Sequence, residues 1–202
     1  MARKSKADIR KPEILDSFYQ VLSQEGLEGA SIAKIAGHMG VHPSLLIHYF
    51  KTKEEMIVEL VDFMIEKYEE VYLHNIREIK DPQKRLDAIL DSIFGVKWAN
   101  LFDIKVFYAC YYISLRNDRV YKRMKRMYDR FRELLVEEIK IYIEEGIIVD
   151  VDPERMAVLI ISLVEGGNFY WTMIRDDAQI EELSRYLKEI ALRFLVAGFE
   201  DN

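Results

Sequence analysis

Apolar residues return along this chain every three to four positions, and the strict alternation that marks strands is nearly absent. The pattern therefore predicts an all-α protein. Ile14, Leu15, Phe18, Val21 and Leu22 form one stripe on a helix from about residue 10 to 25, and Gly26 is placed to end it. A short helix over Ile32–Met39 follows, capped by Ser31 and closed by Gly40. A second short helix starts at Pro43, whose missing N–H needs no partner at a first helical position, and runs to about Tyr49. Thr52-Lys53-Glu54-Glu55 reads as a capping box that opens a long helix to about Ile79. Asp81-Pro82 and Asp152-Pro153 each combine an N-cap with a first-turn proline, so helices begin near 82 and 153. The remaining periodicity predicts helices near 82–98, 102–115, 119–145, 153–174 and 179–199. Residues 1–52 then form an N-terminal three-helix helix-turn-helix head. Residues 53–202 form a larger body of about six helices, and no repeat or low-complexity tract interrupts the chain.

The lengths in the head suggest a use. A scaffold helix of about four turns precedes two short ones, which are joined by Gly40-Val41-His42. The second helix of such a pair fits the DNA major groove, about 12 Å wide, while the first braces it across the backbone. Generic three-helix packing uses the same elements, so the pattern alone leaves both readings open.

Charge sharpens the picture. The chain carries a net charge of −6. Residues 1–53 hold eight Lys/Arg against five Asp/Glu, and residues 54–202 hold 21 against 30. A basic head on an acidic body suits a head that touches a polyanion. Other chemistries find little support. Cys110, the single cysteine, allows no intrachain disulfide, which fits a reducing cytoplasm. It sits in an aromatic run that reads as buried core rather than as a catalytic thiol. His38 and His42 are four apart, but Gly40 lies between them, and no carboxylate or thiol completes a metal set with His48. No Gly-rich phosphate loop or nucleophile elbow is present, so neither a cofactor nor an enzymatic activity is expected. The most apolar segment, 156–174, is broken by Ser162, Glu165, Gly166, Gly167 and Asn168, and Met1 to Lys11 has no apolar signal core. A soluble, cytoplasmic protein without a membrane partner is expected.

Several residues of the head converge on one pattern: Gly26, Ser31, Ile35-Ala36, Gly40-Val41, Leu45-Leu46, His48-Tyr49-Phe50, Lys53-Glu54-Glu55 and Met56. With these residues at this spacing, segment 13–60 resembles the TetR/AcrR family of bacterial regulators. The chain departs from the family pattern at His42, where a Ser usually precedes the recognition helix and caps it better, and at Ile47, where a phosphate-binding Tyr is usual. The resemblance implies a homodimer that binds double-stranded DNA at a palindromic operator and answers to a small-molecule effector. It puts His42, Pro43, Ser44, Leu45, His48 and Tyr49 on or beside the groove-facing surface. Ser44 and His48 can hydrogen-bond base edges or phosphates, and Pro43 and Leu45 can press on thymine methyls. Tyr49 and Lys53 suit phosphate contacts, and Ser31 and Lys34 meet the flanking backbone. Leu46, Ile47 and Phe50 can serve the core instead.

The body carries two further expectations. Its last two helices present Leu159, Leu163, Gly166, Gly167, Leu183, Leu187, Ile190 and Phe194, which fit either a dimer interface or an internal core. Two adjacent glycines inside a helix each cost about 1 kcal/mol against Ala, and close approach of another backbone would offset that. Phe94, Trp98, Phe102, Phe107, Tyr108, Tyr111, Tyr112, Tyr128, Asn168 and Trp171 either line a pocket for a hydrophobic ligand with a few polar groups or simply pack. An alternative keeps the fold but places it under a protein partner's control.

Overall fold

Side-chain caps fix where most helices begin. A computed structural model describes residues 6–95, 103–174 and 176–198; residues 6–10, 68 and 71–75 are described by backbone alone. Nine helices and no strand occur among the described residues: α1 (Lys6–Gly29), α2 (Ile32–Met39), α3 (Pro43–Tyr49), α4 (Lys53–Asn75), α5 (Pro82–Phe94), α6 (Ile104–Ser114), α7 (Asp118–Glu144), α8 (Pro153–Trp171) and α9 (Asp177–Ala197). Ser31, Asp81, Asp103, Asp152 and Asp176 each accept a backbone N–H in the first turn of the helix that follows. Such acceptors satisfy donors that a helix start leaves unpaired. At α4, Thr52 Oγ1 accepts from Glu55 N at 3.1 Å, while the Glu55 carboxylate reaches back to Lys51 N at 2.8 Å.

Several boundaries differ from the sequence reading: α5 ends at Phe94 rather than near 98, with Gly95 extended behind it, and α8 ends at Trp171 rather than near 174. Helix α1 starts a turn earlier and does not stop at Gly26. Gly26 adopts φ 71 and ψ 179, which breaks the helix, and a last turn then runs to Gly29. Helix α4 ends at Asn75, and a turn carries the chain to Ile79, whose N–H meets Ile76 O at 3.0 Å.

The chain divides into two compact units. The first contains residues 1–68 and 102–127, and the second contains 69–101 and 128–202. Helices α4 and α7 each begin in the first unit and end in the second. In the first unit α1 packs on α2 and on α6, and α2 packs on α3. Ile14, Phe18, Leu22, Ile35, Leu46, Phe50, Met56, Leu60, Val106, Cys110 and Val120 are sealed from solvent. Burying such side chains contributes about 1.5–3 kcal/mol each. Lys11–Glu59 at 2.7 Å and Lys67–Asp16 at 2.8 Å also tie α1 to α4, but both pairs are half-exposed. Such pairs contribute about 1 kcal/mol at most, so apolar burial dominates. Burial pushes the Cys110 thiol up to about 12, so no thiolate forms near neutrality.

A polar cluster joins α1 to the start of α6. Asp103 caps α6 by accepting from Lys105 N at 2.8 Å. Its carboxylate also accepts from the Ser23 hydroxyl of α1, and its own N–H donates to the Tyr19 hydroxyl. Burial raises the Tyr19 phenol above its ordinary value.

In the second unit α9 packs on α8 and α5. Leu86, Ile89, Leu90, Phe94, Met156, Ala157, Ile160, Ala191 and Leu195 fill its interior. Ser184 donates to the carbonyl of Phe94, tying α9 to the end of α5. The ion pair between Arg85 and Glu138 is almost fully enclosed, with 12% and 7% of the two side chains exposed and 3.0 Å between Nε and Oε2. Arg85 also donates to Ile79 O at 3.2 Å and lies 5.4 Å from the Tyr142 ring centroid. An enclosed pair of this kind is weak evidence for net stability, but removing one partner strands the other charge. Glu138→Ala should therefore lower the unfolding free energy by about 3 kcal/mol or more. Replacing both partners by apolar residues, as in Arg85→Met with Glu138→Leu, should recover most of that loss in urea denaturation.

Candidate nucleic-acid interface

Helix α3 has seven residues, too few to hold a helix by backbone bonds alone. Its anchors are Leu46, 0% exposed, and the following Phe50, 1% exposed. Gly40 sets the turn before it. At φ 65 and ψ 31 it occupies the left-handed region, and its N–H closes α2 on the carbonyls of Ala36 and Gly37. With Leu46 and Phe50 held inside, the opposite face is fixed outward. That face carries Ser44, Ile47 and His48, all exposed and spaced at i, i+3 and i+4, with exposed His42 just before it. Pro43, Leu45 and Tyr49 are half-buried at its edges, and the Tyr49 ring meets His48 edge-on at 5.4 Å between centroids.

His42 serves as the cap of α3. It was read as a weaker cap than the usual Ser. In the structure its Nδ1 accepts from Ser44 N at 3.3 Å and lies 2.9 Å from Ser44 Oγ. A neutral imidazole offers the lone pair that a hydroxyl would supply. Ile47 resolves in favour of the surface. It is 53% exposed, whereas Leu46 and Phe50 belong to the core.

The remaining head residues lie as follows. Ser31 caps α2, with Oγ 3.3 Å from Lys34 N. Lys34 is exposed and pairs with Glu25 at 2.6 Å. Lys53 is half-buried and turns its ammonium onto the carbonyl of Leu27, near the end of α1. Desolvation lowers its pKa, although Glu54 and Glu28 oppose the shift. A phosphate contact by Lys53 would thus compete with an internal tether. The exposed cation beside α3 is Lys51, which the sequence reading did not single out.

The body residues divide between the units. Phe94, Tyr128, Asn168 and Trp171 belong to the second, while Phe107, Tyr108, Tyr111 and Tyr112 belong to the first, with Tyr111 and Tyr112 about half exposed. Trp98 and Phe102 lie outside the described residues. In the second unit, burial raises the Glu165 carboxyl above its ordinary value, with the Tyr128 hydroxyl as its hydrogen-bond partner. The Trp171 indole N–H is enclosed and meets no acceptor among the described residues. Glu165 entered the sequence reading only as an interruption of an apolar segment. The signal was present as an acid in the middle of that segment, but periodicity gives no polar partner.

Helix α8 shows two faces. Leu159, Leu163, Leu183, Leu187, Ile190 and Phe194 are half-buried. A Cβ on Gly167 would lie 2.5 Å from Leu187 Cδ1, so within the chain this glycine admits α9. A Cβ on Gly166 would meet nothing within 4 Å. Gly166 shares an exposed stripe with Val158, Ser162 and Phe169, and Tyr170 and Met173 extend it. Among the described residues no group of three His, Cys, Asp or Glu side chains could hold a metal ion, and no helix is long and apolar enough to cross a membrane.

A short helix gripped from behind and bare in front, braced by a second short helix, is a helix-turn-helix. Residues 14–60 match the family model described as bacterial regulatory proteins, tetR family, and residues 81–197 match the tetracyclin repressor-like C-terminal domain. The chain belongs to the TetR family of transcriptional regulators. Nucleoid occlusion factor SlmA of Aliivibrio fischeri is 25% identical over 190 residues, 91% of this chain and 93% of that relative. A TetR transcription regulator from Haloarcula marismortui superposes with a TM-score of 0.79 at 21% identity, covering 93% of this chain and 97% of that one. A transcriptional regulator from Saccharomonospora viridis, solved in complex with choline, gives 0.80 at 15% identity over 93% and 98%. At these identities the two solved structures speak for the fold.

The His42 cap can be measured. His42→Ala should cost about 1 kcal/mol of stability, within the roughly 0.5–2 kcal/mol expected for a lost N-cap, while His42→Ser should recover most of it. Equal urea midpoints for the two variants would remove His42 from the cap.

Proposed function

We propose that this chain is a ligand-responsive dimeric repressor of the cytoplasm, without enzymatic activity, that binds a palindromic operator. The observation that carries the reading is the outward face of α3, with Ser44, Ile47 and His48 bare while Leu46 and Phe50 are buried. A side chain on a rigid, exposed helix face can meet base edges in the major groove. Ser44 and His48 are the candidates for base readout, with Pro43, Leu45 and Ile47 for thymine methyls. His42, Ser31, Lys34, Tyr49 and Lys53 are candidates for the surrounding backbone.

One such helix touches only a few base pairs, and two-fold pairing doubles the contact. The bare apolar stripe of α8, from Val158 through Gly166 to Phe169, supports pairing with a second copy. The effector is a small, largely hydrophobic molecule bound in the body. The half-buried Glu165 and Tyr128 and the unpartnered Trp171 N–H supply polar groups to recognise it. The choline-bound neighbour supports a small-molecule site in this fold. Effector binding then acts through α4, which continues from the head's unit into the next, with a coupling of about 1–3 kcal/mol. A relative named for nucleoid occlusion rather than for a metabolite gives weight to a second reading, in which a protein partner replaces the small molecule.

Selection of sheared genomic DNA on the purified protein, followed by sequencing, should enrich a short palindrome. In the same assay Ser44→Ala and His48→Ala should change the preferred sequence. Failure of the folded wild-type protein to enrich any sequence would overturn the repressor reading. Gly166→Trp should convert a dimer to a monomer in sedimentation without loss of helical content, because the position is exposed and an added Cβ meets nothing within 4 Å in the single chain. A dimer that persists would move the interface elsewhere.

A further inference from the structure

The folded arrangement redistributes charge in a way that a division of the sequence at residue 53 does not. Residues 1–68, which include the helix-turn-helix, hold nine Lys/Arg against ten Asp/Glu. Residues 102–127, which join them in one compact unit, hold seven against two. The rest of the chain holds 13 against 23. The unit that carries the recognition helix is therefore basic only because of the α6–α7 segment.

The cations of that segment share a surface. Arg119, Lys122 and Arg126 stand at i, i+3 and i+7 of α7, and all three are exposed. Arg126 also feels the Asp62 carboxylate, but among the described residues none of the three forms a close ion pair. Their neighbour Arg123 does, at 3.2 Å from Asp62, and that pair holds this part of α7 against α4. Arg116 lies just ahead of α7, stacked 4.3 Å from the Tyr112 ring centroid. Tyr112 and Tyr121 are each about half exposed beside the cations. Helix α6, which leads into this surface, is packed on α1 of the head.

We infer that the exposed stripe Arg119–Lys122–Arg126, with Arg116 beside it, is a second DNA contact that grips the phosphate backbone flanking the operator. Three cations spread over about 10 Å of helix can meet successive phosphates, which advance about 3.4 Å per strand along the duplex axis. Arginine and tyrosine side chains are suited to phosphate oxygens, and such contacts position a protein without reading sequence. The inference rests on the DNA-binding reading above, because it is this unit's recognition helix that brings a polyanion to the stripe.

The test compares wild-type protein with the triple variant Arg119→Gln, Lys122→Gln, Arg126→Gln. All three positions are exposed, and circular dichroism checks that the fold is kept. Binding to a random-sequence duplex of about 60 base pairs is followed by anisotropy from about 50 to 200 mM salt. The variant should lower the slope of log affinity against log salt by about 2 to 3 and bind about tenfold more weakly at the low-salt end, as expected for three lost phosphate contacts. Its ranking of specific sequences should not change. If wild type binds and the variant has the same slope, this inference falls and the repressor reading stands. If wild type binds no duplex with any salt dependence, the DNA reading itself fails. If the substitutions abolish binding to phosphatidylglycerol vesicles and leave the DNA slope intact, the stripe is a lipid surface and the inference is overturned.

Discussion

A helix of seven residues cannot hold its own direction in water, and everything this molecule does with α3 depends on that limit. The rigidity has to come from outside the helix. Leu46 and Phe50 supply it by entering a closed apolar core, and Gly40 supplies it by fixing the angle at which the chain enters. Only then do Ser44, Ile47 and His48 present a defined surface. Precision at the exposed face is thus a property of the buried one. Core substitutions under α3 can alter DNA recognition without any contact to DNA.

The same reasoning extends to the body. The core of the first unit closes over α6 and the start of α7 through Val106, Cys110 and Val120. Asp103 adds a directional contact to that packing, since it ends one interaction at the start of α6 and begins another on α1. Residues 1–52 are therefore not an independent module. They share a core with residues more than fifty positions downstream. Two continuous helices, α4 and α7, also pass from this unit into the next.

Much of this was legible in the sequence because caps are local. Ser31, Thr52, Asp81 and Asp152 announce helix starts within three residues of the bonds they make, and α2 and α3 fall where their caps and glycines predict. The candidate face of α3 came from the family resemblance, and spacing alone left Leu46, Ile47 and Phe50 open between core and surface. What the sequence hid was long-range. The Lys53 ammonium settles on Leu27, 26 positions away, and Gly167 makes room for Leu187, so its small size has a partner within the chain. At His42 an imidazole nitrogen takes the place of a hydroxyl as the cap acceptor, a bond that the residue type alone did not announce. The basic segment 116–126 was counted with an acidic body because charge was summed along the chain, whereas folding groups it with the head.

Asp103 also bears on how this chain can change over generations. One carboxylate starts α6 and accepts the Ser23 hydroxyl, while the same residue's N–H meets Tyr19. A change at any of the three positions leaves polar groups without partners at a part-buried site, which is costly unless another change relieves it. Positions 19, 23 and 103 are therefore energetically coupled through shared hydrogen bonds. A joint substitution at these positions would not cost the sum of its single changes, because each single change strands a partner that the joint one removes.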